Sequence, residues 1–360
     1  THNGTFWMLG IQTANPYIVN INGSSSLSAT TTSTSGVNFN RLIFRTTATG
    51  APQGTTIIGN ICVLDDLQIV ATASAAGPIS TNGGTIYAHK SLIVSGSIRN
   101  TSTTIVKLVG TGTWSDAYAQ AGIPSPITFG ISWQLDIDTL GTITLASNVA
   151  VWFGGKIKYT QGTFVTTGRT IIIGNGSTIE NFGSTGPVIF NLTHFSNGNA
   201  TLSNSLLNFV GTSPTRITNL NFTGFSTTNS HRHQGNIGWT CDNFNYQPGV
   251  TSTTFGLRLQ AVTGVEYTIT TSLIMRHFRI PALVTPSALG LNFTKNTGNT
   301  IPRVIFTLLP GASQDLYAVD AVDIDSSRGQ TVWNRRGLNT NTINWDLWDY
   351  PKTVSSTFTL

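Results

Sequence analysis

Asp136 and Asp138, in the tetrapeptide LDID, are the residues of this chain whose types and spacing come nearest to catalytic chemistry. On an extended strand, side chains two apart project from one face, and a pair of facing carboxylates is what glycoside hydrolysis requires. Their commoner use is as two solvated acids on an outer face, and the neighbouring sequence supplies no His, Lys or Arg row to support them. A second constellation is His231-Arg232-His233, where an HxH on a strand points both imidazoles to one side. In a trimer such a motif presents six nitrogens to an iron-like ion; in a lone loop it is a pair of titrating histidines. Asp323-Ile324-Asp325-Ser326-Ser327-Arg328-Gly329 has the opening of a calcium loop without the later bidentate glutamate, so turn capping is its expected role.

The aromatic residues form a third group. Trp333, Trp345, Trp348 and Tyr350 crowd the C-terminal region, and such clusters either anchor an interface or core or offer flat surfaces to sugars. Cys62 and Cys241 lie too far apart in sequence to suggest a metal cluster or a disulfide framework, and read as two small buried apolar side chains. RHFR at Arg276 to Arg279 and the pair Arg335-Arg336 are the densest basic pieces and read as solvated faces. No cofactor is expected, and the chain reads as non-enzymatic.

The elements that must position these residues are short. From Thr142 to Phe182 the sequence is a series of apolar and Thr-alternating pieces cut by Gly, Asn and Ser, a pattern of brief strands and tight turns. Ile143 to Val165, Val149 to Ile171 and Ile157 to Ile179 all recur at about 22 residues, within the range of stacked repeats. An interval of about 14, linking Ile143, Ile157 and Ile171, leaves a shorter coil open. One such coil cannot bury its own apolar side chains, so stacking is needed to create a shared core.

The expected fold class is therefore all-β: a right-handed parallel β-solenoid (parallel β-helix) over residues 1–245, followed by a β-sandwich-like C-terminal capping and oligomerisation domain over 248–360. Within the first part, 1–141 is irregular, 142–229 most regular, and 230–247 a boundary loop without alternation. Residues 112–126 read as a break with a loop or short helix.

Composition limits the function. Charged residues make up 9% of the 360, far below the roughly 25% of an ordinary globular domain, while apolar residues reach 39%. Thr, Ser, Asn and 37 glycines supply the polar surface instead, as suits a protein outside a cell or on a virion. The net charge of +5 comes from 19 dispersed basic residues, so nucleic acid is not expected as a partner. No apolar run approaches the ~18 residues of a membrane-spanning helix, and none is expected. The start at Thr1 without a signal peptide suggests a processed or partial chain.

The segment DLYAVDAVDIDSSRGQTVWNRRGLNTNTINWD, Asp315 to Asp346, resembles a terminal element of long β-repeat proteins of bacterial surfaces and phage tail fibres. In those proteins it follows coils like GTITLASNVAVWFGGKIKYTQGTFVTTGRTI. The resemblance implies an extracellular or virion-borne appendage component that attaches to a host surface, a homo-oligomer (a trimer if a fibre), and cell-surface glycan as a possible contact. A bacterial adhesin or self-assembling filament subunit is the runner-up, and a polysaccharide-degrading tailspike comes third. It implies no catalytic residue.

Overall fold

The computed structural model describes residues 5–7, 12–21, 25–28, 37–46, 55–71, 79–81, 84–95, 105–116, 133–151, 155–166, 169–173, 177–181, 190–194, 204–222, 230–246, 256–276, 291–295, 300–335 and 338–347. Among them are strands and turns and no helix. Every strand pairing is parallel, and the strands fall into three sheets.

The recurring aliphatic positions stack in register. Ile61, Ile86, Val106, Leu135, Ile157, Ile179 and Phe209 are successive cross-strand partners, and each is fully buried. Val149 pairs with Ile171, while Ile143 pairs with Phe164, so the shorter interval through Ile143, Ile157 and Ile171 makes no ladder. Alternation supplies the mechanism: in Ile105–Leu108 and Ser91–Ser95 every second side chain is buried, as strand pleating requires when one face meets a core.

The expectation of a parallel β-solenoid, or parallel β-helix, is corrected by how the pairings close. Val37–Thr46 pairs with Ile61–Val63, which pairs with Thr85–Ala88, then Ile105–Leu108, then Gln134–Leu145. Gln134–Leu145 also pairs with Gly112–Asp116, and the circuit returns through Ser91–Ser95 and Asp66–Ala71 to Val37–Thr46. The result is a closed eight-stranded parallel β-barrel. Two strands of ten and twelve residues run unbroken where their partners turn at Leu64-Asp65, His89-Lys90 and Val109 to Thr111, and so join both sides of the ring. An interior of eight strands is just wide enough for side chains to fill, and Phe39, Phe44, Leu67, Ile69, Leu92, Trp114 and Ile137 fill it.

The β-sandwich-like C-terminal domain is also corrected, since the same parallel ladders continue to the last described strand. Glu266–Arg276 follows Trp239–Tyr246, then pairs with Val304–Leu308 through its first half and with Ser313–Tyr317 through its second. Its eleven-residue length comes from serving two neighbours. The supposed boundary loop contains the strands Ser230–Gly235 and Trp239–Tyr246, and Gly112–Asp116 is a strand where a break was expected. The remainder of 112–126 lies outside the described residues.

Corners stack as closely as strands. A Cβ on Gly235, whose φ is +129°, would lie 1.8 Å from the Phe209 carbonyl oxygen, whereas Gly264, at +86°, has nothing within 4 Å. Gly235→Ala should therefore lower stability by about 1–3 kcal/mol through collision on top of the left-handed strain. Gly264→Ala should cost only the strain of about 1–2 kcal/mol. Denaturant melts of the two variants against the parent check the order.

Candidate functional site

Asp136 sits on the outward face of Gln134–Leu145, in a cross-strand row that runs Tyr87, Lys107, Asp136, Lys158, Glu180. The basic row missing from the local sequence is thus present, supplied by neighbouring strands. Lys107 Nζ lies 3.6 Å from Asp136 Oδ2 and 3.1 Å from Asp138 Oδ2. Thr160 Oγ1 donates to Asp136 Oδ1 at 2.7 Å, and Gln161 Nε2 donates to Asp138 Oδ1 at 2.8 Å. Farther along, Glu180 pairs with Lys158 at 3.6 Å and with Lys156. Asp136 is only 1% exposed. This covered, multiply bonded carboxylate is the centre of an ion-pair network with Lys107 and Thr160 around it.

The network also acts on Lys107. Burial alone would lower its pKa, but the hydrogen bond to Asp138 and the charges of Asp136 and Asp138 outweigh that and hold the ammonium above its ordinary value.

His233 points into the core. Its ring meets Phe209 edge-on at 5.4 Å, and its Nδ1 accepts a hydrogen bond from Trp239 Nε1 at 3.1 Å. That contact occupies Nδ1, one of the two ring nitrogens through which a histidine can bind a metal. The side chain of His231 lies outside the described residues. Among the described residues no group of three or more His, Cys, Asp or Glu side chains could hold a metal ion. Asp325 Oδ1 accepts from the Ser327 backbone N–H at 2.9 Å and Asp323 Oδ1 from Asn341 Nδ2 at 2.6 Å, both corner contacts. Cys62 and Cys241 are both buried, and burial pushes the Cys241 thiol far above its usual range.

The aromatic cluster divides. Trp345 is 4% exposed and packs against Phe293 and Phe306 at ring distances of 5.5 and 6.2 Å, so it belongs to the core. Trp348 and Tyr350 lie outside the described residues. Trp333 is 44% exposed, on the outward face of Val332–Arg335, whose side chains alternate buried and exposed. Arg335 shares that face and bonds Asp315 at 2.6 Å, while Arg276 holds the other oxygen of Asp315 at 3.0 Å. Tyr317 is the cross-strand partner of both Arg276 and Arg335. Asp346 lies opposite Trp333.

Sequence reasoning singled out Trp333 but not its surroundings. Arg276, Asp315 and Arg335 converge only because adjacent layers differ in length, so no fixed interval links them. No family model, curated protein or solved structure matches the chain.

Two variants test the electrostatics. Lys107→Met leaves the Asp136 carboxylate covered and without its cation, and should lower stability at pH 7 by about 1–3 kcal/mol, the cost of an uncompensated buried polar group. Because the raised pKa of Lys107 stabilises the fold below the ordinary lysine value of 10.5, the deficit should be constant from neutral pH upward and shrink only above that value, as the parent also loses the charge. Asp320 behaves oppositely: partial burial raises its pKa against the opposing hydrogen bond from the Leu338 N–H. Its ionisation therefore costs stability once the pH exceeds the usual carboxylate range. Asp320→Asn keeps an acceptor for Leu338 and should raise the melting midpoint at pH 7, with no gain near pH 3.

Proposed function

We propose that this protein is a non-enzymatic structural or adhesive component acting outside the cell or on a virion appendage, where it presents a stiff β-surface to a host or neighbouring surface. The carrying observation is the unbroken series of parallel ladders around one buried apolar cluster that runs from Phe39 to Trp345. Hydrogen bonds join each strand to its neighbours, so a protease must disrupt several pairings to free any one strand. The outward face supports the same reading. Side chains such as Asn208, Asn219, Gln234 and Asn243 bond one another between layers at 2.9 Å, as Asn243 to Asn219 and Gln234 to Asn208 do. These contacts leave a polar, weakly charged surface that meets hydroxyl-rich partners without attracting polyanions.

Self-assembly into a filament is a second reading, supported by one feature. Among the described residues Trp345–Leu347, the last described strand, pairs with Val332–Arg335 alone, and Leu338, Ile343 and Leu347 lie exposed. The edge of a terminal strand accepts another parallel strand.

The test has two parts. The purified chain should resist proteinase K under native conditions while an unfolded control is digested, and it should release no reducing or unsaturated ends from bacterial surface polysaccharide. Turnover that disappears in Asp136→Asn would overturn the non-enzymatic reading, and rapid native digestion would remove the stiff-scaffold reading. Concentration-dependent, open-ended fibres in electron micrographs would favour the filament.

A further inference from the structure

We propose that the outward face centred on Trp333 is a binding platform for neutral saccharides. The inference rests on the adhesive reading above and assigns its contact chemistry.

A sugar ring presents an apolar face of C–H bonds and a fringe of hydroxyls, so its receptor needs a flat apolar surface bordered by fixed donors and acceptors. Trp333 is the only aromatic residue among the large apolar side chains exposed in the described structure. Its border consists of Arg335, Arg276, Asp315, Tyr317 and Asp346, which share its outward face or adjoin it in register. Guanidinium groups offer paired donors, and carboxylates offer paired acceptors, to adjacent hydroxyls. Asp315 holds both arginines by salt bridges at 2.6 and 3.0 Å, which fixes the direction of their remaining N–H groups.

The platform is also held in place before any ligand arrives. The Trp333 backbone N–H donates to Gln314 Oε1 at 2.7 Å, and Gln314 Nε2 donates to the Thr331 carbonyl at 3.0 Å. The two flanking side chains, Val332 and Asn334, are buried, and Asn334 Nδ2 donates to the Val319 carbonyl at 2.5 Å. The backbone beneath the indole therefore needs no further ordering on binding.

Charge selects the class of sugar. Among the described residues of this face, Arg276 and Arg335 are balanced by Asp315 and Asp346, so these groups offer no excess positive charge to a uronate or sialate, and a carboxylated sugar would meet Asp315 and Asp346. A neutral hexose polymer satisfies the same groups through its hydroxyls.

The experiment probes the full chain against immobilised cellohexaose, maltohexaose, mannohexaose and hexagalacturonate. The expected result is retention on at least one neutral hexaose, a fall of about tenfold in affinity for Trp333→Ala, and a smaller fall for Trp333→Phe, which keeps a ring to stack. Arg335→Gln, which leaves Trp333 in place, should also weaken binding and serves as the second variant if Trp333→Ala loses native protease resistance. The proposal is overturned by retention on hexagalacturonate alone, by no retention on any neutral hexaose, or by equal retention of the parent and both variants. It is equally overturned if Trp333→Ala changes the sedimentation coefficient of the assembly, which would make this face a subunit contact. A parent chain that binds none of the neutral hexaoses while keeping its protease resistance would remove this inference and leave the structural reading standing.

Discussion

The parallel hydrogen-bond ladder between successive layers is the constraint on which the rest of the molecule depends. It forces like positions of each layer to lie over one another, so one well-placed aliphatic residue meets another about 4.8 Å away in the next layer. The row from Ile61 to Phe209 is this constraint expressed in side chains. The corners obey it too: the Leu64 N–H reaches the Phe39 carbonyl at 2.8 Å and the His89 N–H reaches the Val63 carbonyl at 2.8 Å. Turning backbone is thereby paired and not left unsatisfied.

The same stacking explains the outward chemistry. Charges are few, yet they meet because a residue directly above another is a neighbour whatever its distance in sequence. Lys107, Asp136, Lys158 and Glu180 form an alternating row, and Arg216, whose register partner is Thr240, reaches diagonally to Asp242 at 3.0 Å. Where a charge is absent, amides take its place. Towards the C-terminal end the intervals between paired positions shorten, from Ser272 with Ser313 to Ala321 with Asn339 to Val332 with Trp345. Asparagines hold the tightened turns: Asn344 accepts from Thr331 and donates to the Ser326 and Gly329 carbonyls, and Asn341 and Asn344 adopt left-handed φ values of 53° and 56°. This tapering brings Trp333 and Arg335 beside Asp315.

Much of this was legible in the residues. The short strands, their period-two burial, the interval that pairs Val149 with Ile171, and the burial of both cysteines follow from alternation, turn residues and composition. The closure of eight strands into a barrel was not legible. It depends on Val37–Thr46 and Gln134–Leu145 running through corners at which their partners stop, and Gly141 within the second strand looks locally like any other corner. The C-terminal sandwich was misread for a related reason: period-two alternation is identical in parallel and antiparallel strands, and a strand serving two neighbours is simply longer.

The sequence by itself determined which side chains turn inward, because strand periodicity and hydrophobicity are local properties. Only the tertiary structure decided which layers meet. It set Lys107 over Asp136, buried His233 and Trp345, and left Trp333 facing outward among Arg276, Asp315 and Arg335. Those neighbours are fixed by register between strands separated by loops of unequal length, and register is a property of the folded stack that no single segment encodes.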